Sequence, residues 1–394
     1  MKGARVLIGV TGGIAAYKAA ALTSALVQRG AIVDVILTAE AERFVAPLTF
    51  AALTARPVYT ALWDAPERIP HIRLVREAQA AMVVPATANV IARLALGIAD
   101  DLLTTALLAA RIPLALAPAM NAAMFEHPAT QGHLATLRER GYEIVEPEEG
   151  YLAEGESGIG RLASEERLIE TLARMLCPQT LIGVRVAITA GPTREAFDPV
   201  RFVSNASTGA TGIALAREAA RRGAEVTLIL GPTLLAPPAG VRTVRVDSAN
   251  EMLAAALQYA SGAGVVFACA AVADWRPAEP SAQKMKKSGD AMTVRFEANP
   301  DVLATLAQRK GTTFLVGFAA ETEDHERYAR EKLRGKHLDA IAVNDVGEGR
   351  GFGTGENSLV LLWGEDGRKD FGTAAKETLA ARLLDAVEEL RKRS

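Results

Sequence analysis

Two glycines stand between a strand and a helix start in GVTGGIAAYK, residues 9–18. Backbone amides at such a junction can face a phosphate, and the dipole of the following helix favours its negative charge. A dinucleotide site asks for GxGxxG spacing and an acidic residue closing the second strand. Here Asp34 sits in the middle of that strand, with Thr38 and Ala39 at its end. NAD is therefore disfavoured, and a mononucleotide with one phosphate, such as FMN, fits better. Three further segments fall where the strands of an α/β sheet should end, the edge at which open sheets bind ligands. They are Pro85-Ala86-Thr87-Ala88-Asn89, Pro118-Ala119-Met120-Asn121, and the glycine-rich run from Leu152-Ala153-Glu154-Gly155 to Gly160-Arg161. His71, in PHIRLV before a helix, is either a base or a surface histidine.

A second constellation lies downstream. AITAGPTREAFDPVRFVSNASTG (187–209) carries Arg194, Asp198, Arg201 and Asn205, more polar groups than a connector needs. FACAAVADWRP (267–277) reads as a buried strand ending with Asp274, and Lys284, Lys286 and Lys287 follow on a hairpin. Cations on a hairpin are ordinarily a solvated face; beside a nucleotide site they neutralise phosphates. Asn299-Pro300-Asp301, VGFAAET (316–322), Lys332 and Lys336 complete the set.

The elements that must position these groups alternate. RVLIGV (5–10), IVDVILT (32–38), AAMVVPA (80–86), IPLALAPA (112–119) and EIVEP (143–147) read as strands separated by helical segments, the pattern of a parallel, doubly wound sheet. A second start at 183, GVRVAITAGPT, repeats the opening, and RRGAEVTLIL (221–230) echoes QRGAIVDVIL (28–37). The seam is expected where Cys177-Pro178-Gln179 interrupts a helix, giving domains 1–178 and 179–394. In the second, QKMKK (283–287) and AMTVRF (291–296) read as two strands about a Ser-Gly-Asp turn.

Bulk composition agrees. A chain of 394 residues exceeds one ordinary core, and 49% hydrophobic with 5% aromatic residues and 33 glycines suits buried parallel strands. A formal charge of −2 argues against nucleic acid as the main partner. Two cysteines and five histidines without ligand spacing build neither a disulfide framework nor a protein-held metal site. The apolar region around 102–120 is broken by Arg111, Pro113 and Pro118, so no membrane span is expected and the setting reads as cytoplasmic.

GVTGGIAAYK, PHIRL, PATAN, PAMNAAM and the glycine run ending GRL resemble, in that order, the flavin-containing cysteine decarboxylases, in particular phosphopantothenoylcysteine decarboxylase. The resemblance covers residues 5–165. It implies a flavodoxin-like or Rossmann-like domain with FMN held by Gly12, Gly13, Ile14, Thr38, Pro85, Ala86, Thr87 and Asn89. It also implies His71 as base, Asn121 on the substrate carboxylate, and Met120 and Met124 as substrate contacts. Flavin oxidation of the cysteine thiol would provide the electron sink that decarboxylation needs. The family pattern has LACG where this chain has Leu152-Ala153-Glu154-Gly155, so Glu154 stands in place of the family's proton-donating cysteine.

ITAGPTRE, DPVRFVSN, AAVADW, KMKK, NPD and GFAAE resemble phosphopantothenate–cysteine ligase over residues 183–365. That implies a Rossmann-like domain with an inserted hairpin. It implies a CTP site made by Ala268, Cys269, Ala270, Asp274, Lys284, Pro300, Asp301, Val302, Leu303, Phe318, Lys332 and Lys336. Asn205 would handle the acyl-cytidylate, and Mg2+ would arrive with CTP. The family's SSGKMG reads Ser207-Thr208-Gly209-Ala210-Thr211-Gly212 here, without the lysine. Together the two resemblances imply a bifunctional coenzyme A biosynthesis enzyme acting on 4′-phosphopantothenate, cysteine and CTP. They further imply a homo-oligomer with trimeric decarboxylase and dimeric ligase contacts, up to a dodecamer. The competing readings are a flavin prenyltransferase-like or lantibiotic-type decarboxylase, a NAD dehydrogenase, and a first domain that binds a partner after losing catalysis.

Overall fold

AAMVVPA offers no polar residue to either face, and Ala80–Ala86 forms a strand buried along its whole length. Arg5–Val10 and Ile32–Leu37 are likewise buried beyond their first residue. The computed structural model describes residues 1–63, 69–151, 155, 157–286, 292–321, 324–345 and 355–393. It divides into two units, Met1–Pro178 and Gln179–Ser394.

In the first unit β1 (Arg5–Val10), β2 (Ile32–Leu37), β3 (Val58–Tyr59), β4 (Ala80–Ala86), β5 (Leu114–Pro118) and β6 (Glu143–Ile144) make one parallel sheet in the order β3-β2-β1-β4-β5-β6. Both faces are covered. Val6, Ile8 and Val10 point into one apolar cluster, and Leu7 points into the other. The strand order reverses between β1 and β4, which is where such a sheet opens a crevice. The segment 143–147 is shorter as a strand than its apolar pattern suggests. Beyond it, β7 (Glu148–Tyr151) and β8 (Ser157–Arg161) pair antiparallel, so the glycine-rich run belongs to a small hairpin.

Asp34, fully buried in β2, receives Arg5 Nε at 2.7 Å and Arg56 Nε at 2.8 Å. This carboxylate is committed to the fold, which agrees with its mid-strand place in the sequence. Asp34→Ala leaves Arg56 without this acceptor and Arg5 with Glu77 alone. It is expected to lower unfolding stability by about 3–5 kcal/mol, read as a shift in urea midpoint.

The second unit contains β9 (Arg185–Ala190), β10 (Arg194–Ala196), β11 (Phe202–Ser204), β12 (Glu225–Leu230), β13 (Arg242–Arg245), β14 (Val265–Ala268), β15 (Trp275–Pro277), β16 (Phe296–Ala298), β17 (Phe314–Glu321), β18 (Ala340–Asp345), β19 (Glu356–Trp363) and β20 (Gly367–Ala375). Its main sheet runs β13-β12-β9-β14-β17-β18-β19-β20, parallel through β18 and antiparallel in the last two strands. The weak sequence repeat has a structural counterpart. β2 pairs β1 from Arg5↔Ile32 to Val10↔Leu37, and β12 pairs β9 from Arg185↔Glu225 to Ala190↔Leu230.

Two sequence expectations change here. Gln283–Lys286 and Met292–Arg295 are not strands; the antiparallel pair is β15 with β16, nearer the sheet. Within this stretch Met285 is held instead by the side chains of Asp198 and Arg201. Lys287 and the Ser288-Gly289-Asp290 turn lie outside the described residues. Secondly, β14 stops at Ala268, and Asp274 sits exposed beyond it. Among the described residues no helix is long and apolar enough to cross a membrane. Cys177 and Cys269 are not disulfide-bonded.

Candidate active sites

The first site is built at the carboxyl ends of β1, β4 and β5. Thr11 Oγ1 donates to the Pro85 carbonyl at 2.6 Å and accepts from the Thr87 amide at 3.2 Å, locking the β1 and β4 ends together. Thr87 then caps the helix Ala88–Leu96. Met120 N donates to Gly160 O at 3.0 Å, which seats the β7–β8 hairpin against the β5 end. A Cβ on Gly160 would fall 2.2 Å from the Met120 carbonyl, so no other residue fits there.

These contacts enclose a cavity of about 430 Å³. Of the residues expected here, Gly12, Gly13, Ile14, Thr87, Met120, Asn121 and Met124 line it. Thr38, Pro85, Ala86, Asn89 and His71 do not. Pro85 and Ala86 are buried beneath the loop, while Thr38 caps the helix Ala39–Glu42. His71 is the second residue of the helix Pro70–Glu77, and its Nδ1 is buried with no hydrogen-bond partner among the described residues. Glu154 lies outside the described residues. Tyr17, Lys18, Tyr151 and Arg161 also line the cavity. None of these four follows from the motifs, although helical spacing from Gly13 signals Tyr17 and Lys18.

The second site comprises two adjoining cavities of about 360 and 290 Å³ at the carboxyl edge of β9, β14 and β17. They share Ala270, Val272, Asp274, Phe318 and Lys332. The larger is lined by Ala268, Ala270, Asp274, Pro300, Asp301, Val302, Leu303, Phe318, Lys332 and Lys336, ten of the residues expected on the nucleotide. Cys269 lines the smaller instead. Burial of the half-buried Cys269 thiol pushes its pKa up to about 12.

Asp301 caps the helix Val302–Arg309 through the Ala304 amide at 2.8 Å and pairs with Lys336. Burial pushes its pKa upward, but the Lys336 ammonium and that amide outweigh it and hold the carboxyl below its usual range. Asn205 Nδ2 donates to the Ala271 carbonyl at 2.9 Å, one bond from the smaller cavity. Neither Asn205 nor Lys284 lines either cavity itself.

Lys284 is positioned from below. Asp198, 3% exposed, accepts from the amides of Val200 and Arg201 at 2.9 Å each and from Met285 N at 3.1 Å. Arg201 pairs with the same carboxylate and donates to the Met285 carbonyl at 2.8 Å. Asp198 and Arg201 therefore grip both polar groups of the residue following Lys284. The Arg201 guanidinium and these amides hold the Asp198 carboxyl far below its ordinary value. Since the folded pKa is depressed, its stabilisation is fully present above about pH 4 and fades as pH falls from there. Asp198→Asn is expected to lower turnover at this site by about tenfold through loosening of this segment, and to flatten the acid limb of the unfolding profile. Both are read by steady-state kinetics and denaturation against pH.

Two doubly wound sheets, each with ligand-sized cavities at the carboxyl edge of its strands, define a two-unit α/β enzyme of the nucleotide-binding kind. The Flavoprotein family model matches residues 1–177, and the DNA/pantothenate metabolism flavoprotein C-terminal domain matches 181–390. The chain is 45% identical over 395 residues to the coenzyme A biosynthesis bifunctional protein CoaBC of Vibrio cholerae, covering 99% of each chain. It is 46% identical over 396 residues to that of Bacillus subtilis, covering 99% of this chain and 98% of the relative. A crystal structure of the C-terminal domain of such a CoaBC protein is 38% identical and covers 55% of this chain and all of its own, with a TM-score of 0.48. The chain belongs to the family of bifunctional coenzyme A biosynthesis proteins.

Proposed function

We propose that residues 179–394 join cysteine to 4′-phosphopantothenate at the expense of CTP, and that residues 1–178 decarboxylate the product with FMN. The paired cavities of the second unit carry the ligase assignment. An amide does not form from a free carboxylate and an amine in water without activation, so acid and nucleotide must meet. Cavities that share Ala270, Asp274 and Lys332 suit that need. In the proposed sequence an acid oxygen attacks the α-phosphorus of CTP, and a P–O bond forms as pyrophosphate leaves. The cysteine amine then attacks the acyl carbon, expelling CMP and losing a proton. Lys284, Lys332 and Lys336 offset charge on the phosphates, with Mg2+ carried by the triphosphate. Asn205, tied to Ala271, orients the acyl-cytidylate.

In the first unit the cavity suits FMN. The Gly13–Ala15 backbone precedes the helix Ala16–Gln28 and is open to a phosphate, while Lys18 and Arg161 bring positive charge. Ile14, Tyr17, Met124 and Tyr151 are apolar, exposed and on the cavity wall, as a flat aromatic ring requires. When bound, FMN supplies reversible two-electron chemistry. Asn121, which caps the helix Ala122–Glu126 through the Ala123 amide, is fixed to meet the substrate carboxylate, and His71 is proposed as the base. Glu154 is proposed as proton donor.

Incubation with 4′-phosphopantothenate, cysteine, CTP and Mg2+ tests the whole scheme, and phosphopantetheine is the expected product. Accumulation of phosphopantothenoylcysteine would refute the first-unit assignment, and absence of CMP the second. A cytoplasmic homo-oligomer is part of the same reading. A monomer in analytical ultracentrifugation would overturn that part.

A further inference from the structure

Lys376 opens the helix Lys376–Arg391, is 7% exposed, and lines the smaller cavity of the second unit. Among the described residues its ammonium has no ion-pair or hydrogen-bond partner in contact, and the adjacent Glu377 carboxylate acts on it through space. It lies close enough to the Cys269 thiol for the two to interact electrostatically, and Cys269 lines the same wall. Burial pulls the ammonium pKa below its usual value, with Glu377 and Cys269 acting in the other direction. A buried ammonium that Glu377 offsets only through space, with no ion pair in contact, is costly to a fold, so its presence in a cavity wall points to an anionic occupant.

Other groups around it describe that occupant. The Oδ1 atoms of Asn344 and Asn357 are buried without partners among the described residues, and both residues line the cavity. Asn357 is 6% exposed. They are acceptors waiting for hydroxyl or amide N–H donors. The loop Ser207–Gly209 and the first turn of the helix Ala210–Arg221 close the same space, and Gly209 before that helix gives it no side-chain cap. At Ala210, where the resembling motif has a lysine, this chain offers no charge. Lys376 brings an ammonium into the cavity that this loop lines.

We propose that Lys376 is the residue that selects a phosphorylated acid, its ammonium binding the phosphomonoester at the end of the cavity remote from the nucleotide. The assignment rests on the ligase reading above. The substrate carboxylate must reach the shared wall at Ala270, Asp274 and Lys332 to meet CTP, and Lys376 is not part of that wall. The phosphate is the anion left for it. The hydroxyl and amide groups between the two ends then face Asn344 and Asn357.

Lys376→Met tests this, with 4′-phosphopantothenate and unphosphorylated pantothenate as alternative acids in CTP-dependent CMP release. The expected result is a rise of about 10- to 100-fold in KM for the phosphorylated acid, the range of a charge-assisted hydrogen bond. The kcat/KM for pantothenate and the KM for CTP stay within about twofold. Lys376→Arg recovers part of the preference. A residue kept only for structure would give a lower melting temperature in the methionine variant, whereas removal of an uncompensated buried charge leaves it unchanged or raised. Equal losses on both acids, or an unchanged preference, would overturn the assignment. Absence of CMP release from the unaltered chain would overturn the ligase reading and this assignment with it.

Discussion

Methionine in place of Lys284 is expected to cut CTP-dependent CMP release by about 100- to 1,000-fold in kcat, the loss seen when one preorganised charge-stabilising donor is removed. The methionine keeps the length of the stem, so the change isolates the ammonium. The segment bearing Lys284 is not a strand, yet it is fixed: Asp198 and Arg201 bind the amide and carbonyl of Met285, and Ser281 N donates to the Phe197 carbonyl at 2.8 Å. A loop tied in this way loses little entropy when its lysine engages a developing charge. The KM for CTP should move far less than kcat, because Lys332 and Lys336 still line the nucleotide cavity. Decarboxylation of supplied phosphopantothenoylcysteine should be unaffected, which makes the first unit an internal control. A kcat within threefold of the unaltered value would show that Lys284 is a solvated charge with no part in the chemistry.

Gly12→Val is expected to yield a colourless protein that has lost at least about 99% of its CO2 release while retaining ligation. A Cβ at residue 12 would lie 2.3 Å from the Glu40 Cβ and 2.9 Å from the Glu40 backbone carbon. Backbone cannot yield as a flexible side chain does, so the β1–helix loop must shift, at a cost of roughly 1–3 kcal/mol. A displacement of that loop moves the amides proposed to meet the flavin phosphate. Gly13→Ala is the contrast: its Cβ would meet the Thr87 methyl at an ordinary 3.7 Å, so the apoprotein is undisturbed. Any loss of flavin in that second variant would arise from the ligand's own approach to the backbone. Flavin absorbance of the purified variants and CO2 release measure both. A yellow, active Gly12→Val protein would remove the glycine loop from the proposed site.

The strands were legible wherever burial acts on both faces. RVLIGV and AAMVVPA are apolar throughout, and each became a strand with the expected bounds. The KMKK region misled for the same reason in reverse. An alternating charged segment reads as a hairpin arm, but its backbone groups are satisfied by Asp198 and Arg201, some eighty residues earlier in the chain. Local pattern carries no trace of such a partner. The loops after β1, β4 and β5 were readable as a ligand edge, because the connection rules of parallel sheets send those strand ends to one side.

By itself the sequence determined the two parallel sheets, the placement of their ligand edges and, through ordered motifs, the family of bifunctional coenzyme A biosynthesis proteins. Each rests on information held within a few consecutive residues: hydrophobic period, glycine position, motif order. Tertiary structure alone decided that the second unit's site is two joined cavities, that Cys269 faces the smaller one, and that Lys376 stands in its wall. In AAKETLA that lysine reads as a solvated helix start. It is buried because the helix Lys376–Arg391 packs against Ala210–Arg221 and the edge strands, and only the path of the chain brings those surfaces together.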